Sequence, residues 1–470
     1  MKKVLLTLCL LPLFATAQMN ITKVKEINDF EDDGGLPNNL FTFGDKIYFG
    51  ADDSSGSNSP GNADLGRELW VTDGTEAGTT LVKDLRPGDG SSSPNFFFSL
   101  GDNLFFSANT GSGNVLFTSD GTEVGTIATG APFIFNPLEL DGSVYFVLTS
   151  DSNKLYEFDG TQVSPVANAG SGTASLVGAN FTSLNGKIYA YMDYSEDEPT
   201  VGRELYEYDP ATDIFTLVKD ITGDAEDSKI ANFVVVGSEI YFEADGALWK
   251  SDGTTAGTVA VGALAGVDAS NLFSWDGKVF FEGDNGTDDD QLYSYNPNGE
   301  MVTNVSNITG GDDNNHDPSD FVVLDGFMYY AGEVADDSSS WLFRTDGTTT
   351  TRLDNNIKDI DDLAVLNGKI YFEGDDGVTG NELYSLDPAN LSTEEAQTEI
   401  IKIFPNPATD FLVVPNKLLQ ATYSIYDMGG KQIKSGVITA TKVDIDLTAG
   451  MYLFEVAYDK GSITKKILVK

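Results

Sequence analysis

One pattern returns eight times along this chain, and few folds can absorb it. Each copy holds an apolar run, a two-residue turn, a strand like "KIYF", a variable loop, a strand like "ELW", a "DGT"-type turn and a strand like "LVKD". The first strand pair reads "FTFGDKIYF", "FSLGDNLFF", "LELDGSVYF", "TSLNGKIYA", "VVVGSEIYF", "FSWDGKVFF", "VVLDGFMYY" and "AVLNGKIYF". Its aromatic anchors are Tyr48, Phe105, Tyr145, Tyr189, Tyr241, Phe280, Tyr329 and Tyr371, about 46 residues apart on average. The "ELW" strand gives a second, independent set: Trp70, Phe117, Tyr156, Tyr206, Trp249, Tyr293, Phe343 and Tyr384.

The turn "TDGT" at 72–75 returns as "SDGT" at 119–122 and 251–254, "FDGT" at 158–161 and "TDGT" at 345–348. Elsewhere "YDPAT", "YNPNG" and "LDPAN" fill the same slot. Asp-Gly, Asp-Pro and Asn-Pro share turn chemistry, not ligand chemistry. Glycine supplies positive φ, and Asp or Asn bonds back to its own backbone. The turn is therefore scaffold.

Units of 40–50 residues with four short strands predict β-propeller blades, their strands named A to D from the axis outward. The D strand reads "TTLVKDL" in unit one and "FTLVKDI" in unit four, whereas unit eight runs into the polar "STEEAQTE". The segment "ITKVKEIND", Ile21 to Asp29, matches the missing strand. It is expected to pair onto the last blade and close a ring of eight, with seven as the alternative count. "ELWVTDGTEAGTTLVKDL" and "ALWKSDGTTAGTV" resemble the ELW–DGT–GT repeats of bacterial secreted proteins, and "ELYEYDPATDIF" is more weakly similar to Kelch-type blades. Neither likeness implies a uniform activity.

In a propeller the A–B and C–D turns share one face, and the B–C and D–A loops share the other. Here the first set is short and uniform. The second is long, irregular and acidic, as in "GADDSSGSNSPGNADLG" (50–66), "DYSEDEPTVG" (193–202) and "TGGDDNNHDPSD" (309–320). Binding is expected on that second face. Net charge is −45. Residues 399–470 hold nine lysines and seven acids, +2, which leaves 17 basic and 66 acidic residues in 4–398, −49. Such a body repels nucleic acid and anionic membranes and suits cations, neutral ligands or basic partners.

The densest acidic loop offers Asp312, Asp313, Asn315, Asp317 and Asp320 as calcium ligands. It is not an EF-hand, because Pro318 stands where that loop needs glycine and Leu324 where it needs glutamate. Asp284 and Asp288 to Asp290 form a second candidate. His316 is the only histidine, so a two-histidine metal site is excluded. Trp341, directly after an acidic loop, is the best placed of four tryptophans to meet a ligand. With so many acids, a carboxylate pair suited to glycoside hydrolysis is uninformative by itself.

The two ends differ from the body. "MKKVLLTLCLLPLFATAQ" has a basic start, a short apolar stretch and a small-residue site between Ala17 and Gln18, which predicts a signal peptide over 1–17. Cys9, the only cysteine, lies within it. No stretch reaches the roughly 18 apolar residues of a membrane helix. After a linker at 396–400, residues 401–470 alternate as a small Ig-like β-sandwich of about seven strands. This region resembles the type A C-terminal sorting domain of the type IX secretion system, through Pro405-Asn406-Pro407 with Asp410, Tyr426-Asp427 with Gly430-Lys431, Leu447 with Gly450, Tyr452 and Phe454, and Lys465-Lys466 near the end. The resemblance implies a Gram-negative host, the secretion machinery as partner, and export through the outer membrane. The expected protein is all-β: a propeller over 18–395 and a sorting domain. Its expected role is a surface or extracellular binding module for a glycan or protein. The alternatives are a carbohydrate-active hydrolase using two loop carboxylates and a calcium-bridged adhesin.

Overall fold

A computed structural model describes residues 21–28, 34–54, 58, 63–166, 175–193, 201–264, 267–284, 290–308, 316–334, 337–354, 356–388, 408–415, 418–427, 431–458 and 461–470. The chain forms two compact units, one over Gln18–Pro388 and one containing Ala389–Lys470. Among the described residues there is no α-helix, and none long and apolar enough to cross a membrane.

The larger unit holds eight four-stranded antiparallel sheets. Sheet 1 runs Asn38–Phe43, Lys46–Asp52, Arg67–Thr72 and Thr80–Lys83 as strands A to D. The other A strands are Asn95–Leu100, Phe135–Leu140, Ser175–Leu184, Ala231–Val236, Ser270–Trp275, Ser319–Leu324 and Lys358–Leu366. Consecutive A strands lie side by side from sheet 1 through sheet 8, and the A strand of sheet 8 lies beside that of sheet 1. This is the β-propeller arrangement. Sheet 8 continues with Lys369–Asp375 and Asn381–Leu386, and its fourth strand is Ile21–Lys25. There Ile21 pairs with Leu386, Thr22 with Ser385 and Lys23 with Tyr384.

Packing explains the sequence pattern. Each B strand lies between two neighbouring sheets, so it is buried on both sides; Ile47 to Ala51 are all inside. It therefore reads as an apolar run rather than an alternation. Between sheets 1 and 2, Tyr48, Leu69, Leu104 and Phe106 share a core. Between sheets 8 and 1, Val24, Ile27, Phe49, Trp70, Leu366 and Leu383 do the same.

The DGT turn is a hydrogen-bonded knot. Asp73 accepts from the Thr75 amide at 2.9 Å and its hydroxyl at 2.7 Å, while the Gly74 amide donates to Thr72 Oγ1 at 2.9 Å. The same bonds recur around Asp120, Asp252 and Asp346. They hold these carboxyls below their ordinary range, Asp346 at about 2. The glycine is required twice over. Gly74 has φ +90°, and a Cβ there would collide with the Tyr371 hydroxyl of sheet 8. Gly121 meets Tyr48 of sheet 1, and Gly253 meets Tyr189 of sheet 4, in the same way. The contact from sheet 8 to sheet 1 thus repeats the contact between sheets adjacent in sequence.

In the smaller unit a sheet of Gln432–Val437, Thr422–Asp427, Gly450–Tyr458 and Gly461–Val469, in that order, faces the pair Phe411–Val413 and Lys442–Asp444. Leu412, Ile425, Val443, Phe454, Val456 and Ile467 fill the core between them. Six strands are described where the sequence suggested about seven. The motif residues are mostly structural. Tyr452 is buried and donates to the Thr448 carbonyl at 2.9 Å. The Asp410 carbonyl accepts from the Ile445 amide; the Asp427 amide donates to the Lys431 carbonyl, and the Lys431 amide to the Asp427 carboxylate. Gly450 opens a strand, and Lys465 and Lys466 are exposed on the last one. Pro405, Asn406, Pro407 and Gly430 lie outside the described residues, as do Ala17 and Gln18.

Deleting residues 18–30 removes the fourth strand of sheet 8 and exposes its edge. The melting temperature of the larger unit is expected to drop sharply in a calorimetric or dichroism melt; an unchanged melt would mean that this pairing contributes nothing to stability.

Candidate cation-binding face

The first position of the "ELW" strand sets the frame of the acidic face. Glu68, Glu204 and Glu382 are fully buried there. Each carboxylate accepts from the D–A connection of its own sheet. Glu68 takes the amides of Leu85 (2.7 Å) and Ser92 (3.1 Å) and the Ser92 hydroxyl (2.7 Å). Glu204 takes the Ile221 amide at 2.8 Å and the Thr222 hydroxyl at 3.0 Å. Glu382 takes the amides of Ile27 (2.7 Å), Asn28 (3.0 Å) and Gly35 (3.0 Å). In sheet 6 Gln291 does the same with Ser306 and Ile308. Burial pushes the three glutamates up to about 7, against the hydrogen bonds that favour their charged form. These anchors make the D–A loops part of the scaffold. The recurring glutamate before Leu-Trp or Leu-Tyr was their signal in the sequence.

The mouth of the ring is built by the start of each A strand. There a bulge puts one residue in the left-handed region: Asn39 (φ 56°), Asn136 (47°), Asn232 (55°), Asn271 (47°), Asp320 (53°) and Asp362 (55°), with Phe96 (51°) in sheet 2. Asn and Asp tolerate that conformation best. In sheets 5 and 6 the amide is matched to a B-strand carboxylate. Asn232 donates to Glu243 at 3.1 Å, and Asn271 to Glu282 at 2.6 Å. Sheets 7 and 8 carry aspartate instead. Asp320, Asp361 and Asp362 bring carboxylate oxygens within 4.8 Å of one another. Asp362 accepts the Asn39 amide at 2.8 Å, and the nearby Glu373 accepts from Asn381 at 2.7 Å. Burial first, and the neighbouring acids second, hold Asp320 well above the usual carboxylate range. Burial is the main cause that takes Asp362 to about 6 and Glu373 to about 7, with Arg67 the cation opposing it.

A second group joins Glu282, Asp290 and Asp317. Of the five calcium ligands read from the sequence, Asp312, Asp313 and Asn315 lie outside the described residues. The structure parts the other two: Asp317 joins sheet 6, and Asp320 joins the A strand of sheet 8. The contiguous loop does not group them; the ring does. Asp361 and Asp362 had no sequence signal, because their proximity to Asp320 is created by neighbouring blades.

Trp341 is corrected by the structure. It is 9% exposed and packs among Phe280, Leu292 and Phe343. It pairs with Gly332 as Glu68 pairs with Ala51, so it occupies the buried first position of the "ELW" strand. Its outer face is covered by the Arg352 guanidinium, 4.8 Å from the ring. His316 is fully buried too. Its Nδ1–H donates to the Glu333 carbonyl at 2.7 Å, and its Nε2 accepts from the Tyr330 hydroxyl at 3.0 Å. Burial lowers it to about 4, which keeps it neutral and fixes this tautomer.

Residues 402–470 match the family described as the secretion system C-terminal sorting domain. The tail is thus a type IX sorting domain, and it directs export to the cell surface or extracellular space. No curated protein matches the chain. Among solved structures, the chain is similar to PorZ, a surface component of the type IX secretion system of Porphyromonas gingivalis, at 12% identity and TM-score 0.37 over 92% of this chain and 65% of that one. It is similar to the Dos1 propeller at 12% identity and TM-score 0.44, over 78% of this chain and 95% of that one. The propeller domain of the Trilobed protease from Pyrococcus furiosus matches at 11% identity and TM-score 0.39, over 63% and 93%. The chain spans 65%, 58% and 54% of the first three structures it matches.

Asp362 and Glu373 keep protons in the folded state up to pH about 6–7, the unfolded chain only to about 4. Their contribution to stability is whole below pH about 4 and is lost as pH rises through 7. His316 acts with the opposite sign: the unfolded chain takes its proton first as pH falls from about 6.5 to 4. Asp362→Asn keeps an oxygen for the Asn39 amide and removes the charge. It is expected to raise the melting temperature by a few degrees at pH 8 and to change it little at pH 4.5. Equal shifts at both pH values would remove carboxylate crowding as the cause.

Proposed function

We propose that this chain is an exported eight-bladed propeller, closed by its N-terminal strand, whose acidic face acts outside the cell as a binding module for the basic surface of a protein partner. One observation carries this reading. Where sheets 5 and 6 satisfy a glutamate with an asparagine, sheets 7 and 8 gather Asp320, Asp361, Asp362 and Glu373 around one nearby arginine. Burial and neighbouring acids raise Asp320, Asp362 and Glu373, and acids crowded in this way favour a ligand that supplies positive charge. The glycan reading loses its aromatic platform with the burial of Trp341. The oxygens of Asp320, Asp361 and Asp362 lie within 4.8 Å of one another.

Calcium is the second reading, and the same spacing favours it. Oxygens on opposite sides of a calcium ion, each at about 2.4 Å, stand no more than about 4.8 Å apart. Asp320, Asp361 and Asp362 would be its ligands, and bridging between copies would make the protein an adhesin.

Immobilised mature protein, challenged with lysine-rich and acidic peptides and a panel of polysaccharides with and without chelator, tests these readings. Retention of the basic peptides, lost in Asp320→Asn/Asp362→Asn, is expected. Selective retention of a polysaccharide with the basic peptides ignored would overturn the proposal. For calcium at about 10 mM and a dissociation constant of about 10⁻⁴–10⁻³ M, the gain is roughly 1.5–2.7 kcal/mol, a few degrees of melting temperature. That gain should vanish in Asp362→Asn and survive in Asp317→Asn.

A further inference from the structure

Sheets 1 to 7 each take their D strand from the chain that directly follows the C strand, whereas sheet 8 takes its D strand from Ile21–Lys25. The Ile27 amide and the Glu382 carboxylate it meets are 355 residues apart in sequence. We propose that this borrowed piece, Ile21–Asn28, is a strap that unlatches as one unit while the other sheets stay folded, and that the Glu382 carboxylate is its bolt. The inference rests on the closed ring proposed above and adds that the ring has one built-in opening point.

The attachments of the strap are of different kinds, and the side chain of Asn58 also donates to the Ile27 carbonyl at 2.8 Å. Its ladder runs along Tyr384, Ser385 and Leu386, and the register already shifts between Lys23 and Lys25. Lys23 reaches Asp376 at 3.1 Å and Thr379 Oγ1 at 2.5 Å, and lies 5.9 Å from the Tyr384 ring centre. Val24 and Ile27 are its apolar anchors in the core shared with sheet 1. The glycines let it pass closely: a Cβ at Gly34 would strike the Asn381 backbone, and one at Gly35 the Ile27 side chain. The Leu36 amide then donates to the Asn381 carbonyl at 3.0 Å.

The other sheets serve as an internal control. Glu68 and Glu204 make the same bonds as Glu382, but to connections whose D strand is joined to its own C strand by a short turn. Breaking those bonds loosens a loop whose ends stay fixed. Breaking the Glu382 bonds frees the Ile27 and Asn28 amides of a strand that no short turn joins to its C strand. Re-pairing here closes a far longer stretch of chain than at the D strands of sheets 1 to 7, which favours opening at this point. Local openings of this kind have free energies below that of global unfolding.

Hydrogen exchange on the mature protein, followed by mass spectrometry of peptides, tests the strap. Peptides covering 21–28 are expected to exchange about ten-fold or more faster than those covering Thr80–Lys83 and Ile214–Lys219, the D strands of sheets 1 and 4. Glu382→Gln should speed the strap further and leave those two strands alone. Glu68→Gln should speed residues 85–92 and leave the strap alone. A disulfide between Thr22→Cys and Ser385→Cys, whose native hydroxyls are 3.2 Å apart, should slow the strap to the rate of the other D strands. Two results overturn the proposal. A wild-type strap that exchanges no faster than the D strands of sheets 1 and 4 would mean no independent unit, with the closed ring intact. A strap with no protection at all, unchanged by the disulfide, would mean that the strand does not close the ring, and both readings would fall.

Discussion

A ring of sheets has one joint that the order of the chain cannot supply, and here it is the pairing of Ile21–Lys25 with Asn381–Leu386. Every other sheet is complete once its own stretch of about 40 residues has folded. Sheet 8 is complete only when both ends of the unit meet. The joint uses the parts found elsewhere: a four-stranded ladder, a buried glutamate holding the following connection, and a glycine packed on the tyrosine of the preceding sheet. The joint thus has the same make-up as the contacts between sheets adjacent in sequence.

Carboxylates do two different jobs in this chain, and their surroundings separate them. Glu68, Glu204 and Glu382 are buried but surrounded by amide and hydroxyl donors, so each is satisfied within its own sheet. The aspartates of the DGT turns are exposed and satisfied by their own turn. Asp320, Asp361, Asp362 and Glu373 differ from both. They face one another as well as donors, and the neighbouring acids add to the burial that raises Asp320, Asp362 and Glu373. Net charge alone, at −45, does not distinguish these groups.

The C-terminal unit follows another logic. It is slightly basic and has its own core around Leu412, Ile425 and Phe454. Most of its described motif residues close turns or fill the core. The exposed Lys465 and Lys466 are the described exceptions on the last strand. Export is therefore carried by a compact unit with its own stability, separate from the chemistry of the ring.

The sequence by itself determined the repeat, its eight aromatic anchors, the DGT turns and the presence of a D-like strand, Ile21–Lys25 in the structure, because each depends on neighbours within a few residues. It also marked the tail, through motifs at fixed short spacing. Only the tertiary structure decided what sits at the mouth. Asp320, Asp361 and Asp362 come from two different blades, and nothing in either segment signals the other. Trp341 shows the same limit from the opposite side. The residues before it in sequence are acidic and polar and suggest exposure, but its register places it where Glu68 stands in sheet 1, inside the sheet stack. A strand residue's environment is set by its pairing partner and by the face that the pleat gives it. Those are fixed by contacts made between strands, not along the chain.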